Sequence, residues 1–95
     1  MWIAASRLVL DDYGNEELKR KRRELKALIE TVRKEFNVSL LEVAEFSDTE
    51  RGVLGLTLVA GTERGAREAV AKVLARIDAL AFARVVSEET DVSEF

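Results

Sequence analysis

The chain contains no cysteine, no histidine and no proline. Without cysteine, disulfides, thiol nucleophiles and thiolate metal sites are excluded. Without histidine, the commonest general base and the commonest zinc ligand are missing. Any active site would be confined to carboxylates, lysine, arginine, serine, threonine and the single tyrosine, Tyr13. The expectation is therefore a protein that is not an enzyme and that holds no metal or cofactor. Without proline, every turn must rely on Gly, Asn, Asp or Ser chemistry. Aromatic residues make up only 6% of the chain and form no motif matching the stacking platform of an RNA-recognition domain. Trp2, Phe36, Phe46, Phe82 and Phe95 read instead as core or interface residues. Long apolar runs are also missing, since none approaches the roughly 18 residues of a membrane span. Residues 1–10 are apolar but lack a basic leader and are interrupted by Arg7, which reads as a strand and not as a signal peptide. The expected compartment is the cytoplasm, with no membrane partner.

What remains is a chain of 95 residues, 47% hydrophobic and 35% charged, a profile that suits one globular domain. The net charge of −3 is unevenly distributed. Residues 16–36 carry eight basic and five acidic side chains, whereas 87–95 carry Glu88, Glu89, Asp91 and Glu94 with nothing basic. The chain is polarised without being basic overall, so composition alone does not point to nucleic acid.

Hydrophobic periodicity orders the elements. Residues 1–10 read as a strand that ends in the turn formers Asp11, Asp12, Tyr13, Gly14 and Asn15. From there Leu18, Leu25, Leu28, Ile29, Val32 and Phe36 recur at helical spacing, predicting a helix over 16–36. Asn15 can cap it, Glu16 and Glu17 complement the dipole of its first turn, and Asn37 can end it. Strands are predicted over 38–46 and 53–60, joined by a polar turn as an antiparallel hairpin. Thr62 can cap a second helix with the stripe Ala66, Ala69, Val70, Val73, Leu74, Ile77 and Leu80. A fourth strand over 82–87 then precedes an acidic tail over about 88–95. The order strand, helix, strand, strand, helix, strand is the split β-α-β arrangement of the ferredoxin-like α+β class. It makes one domain over 1–95, with a four-stranded antiparallel sheet and both helices on one face.

The second sheet face then needs an account. Ile3, Ala5, Arg7 and Val9 on the first strand, with Val53, Gly55, Thr57 and Val59 on the third, are more apolar than a solvated face requires. One reading is a homodimer or ligand surface, with Ile3, Ala5, Val9, Thr57 and Val59 as interface residues. The other is ordinary semi-apolar surface. Both parities of the first strand are apolar, so the sequence leaves open which side meets the core.

The most conspicuous run is Lys19-Arg20-Lys21-Arg22-Arg23. At about 100° per residue, Lys19, Arg22, Arg23, Lys26, Arg33 and Lys34 fall on one flank beside the apolar stripe, interrupted by Glu30. Glu17, Glu24 and Glu35 fall on the opposite flank. Cations near a helix N-terminus oppose the macrodipole, at a few tenths of a kcal/mol each. One reading is that this flank meets phosphates, as nucleic-acid-binding residues supplying charge and register. The other is a solvated face laced by the pairs Glu16–Arg20, Glu17–Lys21 and Glu30–Lys34. The segment Gly61-Thr62-Glu63-Arg64-Gly65 reads as a capped strand-to-helix turn rather than an anion site. Asp11 and Asp12 read as solvated loop acids.

The segment Leu18-Lys19-Arg20-Lys21-Arg22-Arg23-Glu24-Leu25-Lys26 resembles the L-K-x-K-R-R-x-L-K signature of the small bacterial YlxP-like proteins, a domain family of unknown function. Phe36-Asn37-Val38-Ser39, Glu42-Val43, Arg51 and Leu54-Gly55 extend the resemblance over roughly residues 1–90. The chain departs from the family pattern at Glu17, Arg20 and Thr49-Glu50. The resemblance implies a ferredoxin-like fold. Its members are often encoded beside translation and ribosome-maturation factors, which implies a role at RNA or the ribosome. The leading expectation is thus a non-enzymatic accessory protein that touches RNA or a ribosomal particle through its first helix. Beside it stand a homodimeric interaction module using the open sheet face and, by fold analogy alone, a regulatory domain binding a small anion.

Overall fold

A computed structural model describes residues 1–11, 18–45, 52–80 and 84–95, the side chains of Leu18, Lys19, Lys21, Ala44 and Glu45 excepted. The elements run β1 (Trp2–Asp11), α1 (Leu18–Glu35), β2 (Ser39–Glu45), β3 (Gly52–Ala60), α2 (Glu63–Leu80) and β4 (Arg84–Glu94). The four strands form one sheet in the order β2-β3-β1-β4, and every neighbouring pair is antiparallel. This is the ferredoxin-like arrangement that the periodicity predicts.

The helices form where the 3.6-residue period demands it. On α1, Leu25, Leu28 and Val32 are buried and Ile29 and Phe36 pack against them. The Phe36 amide donates to the Val32 carbonyl at 2.9 Å, after which the chain turns through Asn37 into β2. On α2, Ala66, Val70, Val73 and Ile77 face the core. Thr62 caps this helix, its Oγ1 accepting from the Gly65 amide at 3.0 Å. The expected cap Asn15, the first-turn acids Glu16 and Glu17, the turn residues Asp12 and Tyr13, Phe46 and Phe82 lie outside the described residues.

The parity of β1 is resolved by its neighbours. Ala4, Leu8 and Leu10 join Leu40, Leu54, Leu56 and Leu58 in the core beneath the helices. Fully burying such a leucine contributes about 1.5–3 kcal/mol. Ser6 lies in the same row and is buried, and its Oγ is hydrogen-bonded to Thr90 Oγ1 at 2.7 Å across the β1–β4 pair. A buried hydroxyl so partnered avoids the desolvation cost of an unmet one.

The last strand differs from expectation. Instead of ending at Ser87 and releasing an acidic tail, β4 continues to Glu94. It pairs with β1 from Asp11↔Arg84 to Trp2↔Glu94, with a register shift beside Leu10. Acidic side chains do not prevent this, because at a sheet edge they stand in water while the backbone completes the ladder.

Candidate nucleic-acid interface and open sheet face

Helix α1 connects the central strand β1 to the edge strand β2, so one of its flanks overhangs that edge and the other faces α2. The acidic flank turns inward: Glu35 receives Nε and Nη2 of Arg76 at 2.7 and 2.9 Å, joining the two helices. This double hydrogen bond holds the Glu35 carboxyl below its ordinary range, with slight burial opposing and the guanidinium charge assisting. Glu24 pairs along the helix with Arg20 at 3.5 Å.

The basic flank turns outward. Arg22, Lys26 and Arg33 line a groove of about 400 Å³ between α1 and β2, together with Leu25, Ile29, Glu30, Glu42 and, at its β2 rim, Leu41. Arg23 and Lys34 are exposed beside it. The side chain of Lys19 lies outside the described residues, as do the pairs Glu16–Arg20 and Glu17–Lys21. Among the described residues the anticipated Glu30–Lys34 pair is absent, and Arg23, Lys26, Arg33 and Lys34 have no ionic partner. Off this flank the described arginines are paired: Arg7 with Glu89, Arg20 with Glu24, Arg64 with Glu68, Arg67 with Glu63, Arg76 with Glu35 and Arg84 with Asp11. Among the described residues, four cations without ionic partners thus lie together on α1, with Lys72 a further one on α2.

The face of the sheet away from the helices carries Ile3, Ala5, Arg7 and Val9 opposite Val59, Thr57, Gly55 and Val53. The five residues proposed from sequence therefore share this face. Leu41 and Val43 of β2 extend it, a contribution that sequence reasoning missed because residues 40, 41 and 43 are apolar in both parities. Val59 is 62% exposed, Val43 52% and Leu41 45%. A bulge between Glu42 and Ala44 displaces Val43 over Gly55. Towards β4 the face becomes charged, with the Arg7–Glu89 ion pair crossing the strands.

Among the described residues no cluster of acidic side chains could hold a metal ion, and no helix is long and apolar enough to cross a membrane.

Comparison with solved structures places the fold. The chain is similar to a de novo designed protein with a ferredoxin fold, solved in solution, at TM-score 0.54 and 14% identity, over 98% of this chain and 83% of that one. It is also similar to LarC2, the C-terminal domain of a cyclometallase involved in synthesis of the NPN cofactor of lactate racemase. That match has TM-score 0.50 and 9% identity, over 98% of this chain and 55% of that one. Identities this low carry the fold and nothing of activity. No curated protein matches the chain. The model of the family described as DUF503, protein of unknown function, matches residues 3–90, and the chain belongs to that family.

Proposed function

We propose that this chain is a non-enzymatic, cytoplasmic accessory protein of the YlxP-like kind, contacting RNA or a ribosomal particle through the basic flank of α1. The observation that carries this reading is the set of exposed cations, Arg23, Lys26, Arg33 and Lys34, without ionic partners among the described residues. The described arginines off this flank are paired locally, so the charge left on this flank is available to an external anion. Arg22 lies on the same flank, and Lys19 completes the row in sequence. Such residues bind phosphate for position and affinity and carry no base information. Neutralising about four to six phosphates makes log K fall by on the order of four to five units per decade of salt on a duplex, and less on a single strand. Filter binding of a labelled RNA across a salt series measures that slope. The double charge reversal Arg22→Glu and Lys26→Glu should weaken all RNA sequences about equally. An interaction indifferent to salt, or an affinity unchanged by the reversal, removes this reading.

A second reading rests on a different observation, the exposed Leu41, Val43 and Val59 on the open sheet face. A second copy laid face to face about a twofold axis would cover them together with Ile3, Ala5 and Val9. Thr57→Lys, at the centre of that face, should then release monomers. Sedimentation as a monomer at high micromolar concentration excludes the dimer.

A further inference from the structure

Strands β2 and β4 are the two edges of the sheet, and the described side chains gathered at them differ in charge. The β2 edge is overhung by Arg22, Lys26 and Arg33, which outnumber Glu30 and Glu42 in the same groove. The β4 edge presents Glu88, Glu89, Asp91 and Glu94. A second groove, of about 360 Å³, runs between α2 and β4 and is lined by Arg67, Val70, Leu74, Glu88, Thr90 and Val92 among others. We propose that these edges are the two halves of one interface, through which β4 of a second copy adds to β2 and extends the sheet from molecule to molecule.

Topology, charge and dimensions agree on this occupant. Strand β2 runs antiparallel to β3, β3 to β1 and β1 to β4, so within one molecule the two edges run antiparallel. Setting a second copy beside the first with its helices on the same face therefore makes another antiparallel junction. On β4 the residues that pair with the core-facing row of β1 are Glu88, Thr90, Val92 and Glu94, a row with an acid at each end. Glu88 and Glu94 lie about 20 Å apart along an extended strand, and Arg22 and Arg33 about 16 Å apart along the helix. Helix α1 runs opposite to β2, and so would the incoming β4, which sets Glu88 towards Arg22 and Glu94 towards Arg33. Pairing of like edges is disfavoured: β2 against β2 brings two basic flanks together, and β4 against β4 brings two acidic strands together. The interface is heterologous, so it closes into a ring or continues as a chain according to the rotation per step.

Charge reversal on each half, followed by mixing, tests the assignment. The 95-residue chain, treated with nuclease, is followed by sedimentation velocity from low to high micromolar concentration at about 20 mM and about 500 mM salt, with circular dichroism confirming that each variant folds. The wild type should exceed its monomer mass of 10.6 kDa at low salt, and high salt should weaken assembly at least tenfold, because the opposing charges are exposed. The variant Lys26→Glu with Arg33→Glu and the variant Glu88→Lys with Glu94→Lys should each be monomeric alone. Mixed together they should assemble again, since every junction then joins opposite charges. A wild type that stays monomeric overturns the proposal. So does assembly that survives both reversals and falls only to Thr57→Lys, which would locate the contact on the open face instead. Loss of assembly in both variants without recovery on mixing overturns the charge pairing as well.

Discussion

At the scale of single residues, Gly55 shows how one neighbour fixes a side chain's size. It sits in the interior of β3, opposite Arg7 on one side and Leu41 on the other, where glycine is weaker than alanine by about 0.5–1 kcal/mol. A Cβ built there would lie 2.8 Å from Cγ1 of Val43, closer than two carbons can approach. The bulge in β2 places Val43 over this position, so the glycine compensates for the bulge. Gly55→Ala should therefore destabilise the protein, by up to about 1–3 kcal/mol if Val43 cannot rotate away. In a Val43→Ala background the same change should become neutral or stabilising. Urea denaturation of the four proteins in this cycle gives the coupling directly. Strictly additive effects would mean that Val43 is not what excludes a side chain at Gly55.

At the scale of elements, the clamp between α1 and α2 makes a pH-dependent contribution whose sign follows from its cause. Arg76 holds Glu35 ionised by hydrogen bonding, so the folded carboxyl titrates below its ordinary value of 4.5. The stabilisation is then fully present above that value and is lost as pH falls through the lower folded one. The guanidinium is shifted upward by the same pair, so its share would be lost only in strong base. Thermal melts of the wild type and of Arg76→Gln should differ most at neutral pH and converge in acid. A constant gap from pH 7 to 2 would show that Arg76 acts by packing alone. Much of this architecture is legible in the sequence, because Leu25, Leu28 and Val32 keep helical spacing and Leu54, Leu56 and Leu58 alternate. The outer half of β4 is not legible. Glu88, Glu89 and Asp91 have low strand propensity, and only pairing with β1 overrides it. The basic flank is likewise visible from residue spacing, but not what it overhangs. That depends on strand order, which brings β2 to the edge, and on pairing, which leaves Arg23 and Arg33 unneutralised while Arg76 crosses to Glu35.

At the scale of the whole molecule, the segregation of charge along the chain becomes a segregation in space, with the basic flank at the β2 edge and the acids on the β4 edge. The acidic stretch is therefore both an electrostatic surface and a structural strand, and removing it tests the second role. Residues 88–94 pair with β1 from Trp2 to Leu8. Thr90 supplies the partner of the buried Ser6 hydroxyl, and Val92 packs against the core. Deleting residues 88–95 would expose one side of the central strand β1, strip the cover from Ala4 and leave Ser6 without its Thr90 partner. A domain of this size has roughly 5–14 kcal/mol of stability in total. Loss of a ladder this long should consume most of it, so the truncated chain should show no cooperative melt and little strand signal by circular dichroism. A tail with no structural role would leave the melting temperature within a few degrees of the full chain. The substitution set Glu88→Gln, Glu89→Gln, Asp91→Asn and Glu94→Gln separates the two roles, because it keeps the strand while removing its charge. That neutralised chain should fold with an almost unchanged midpoint, whereas the truncation should not fold. Failure of both to fold would mean that charge, and not pairing with β1 alone, is what the stretch contributes.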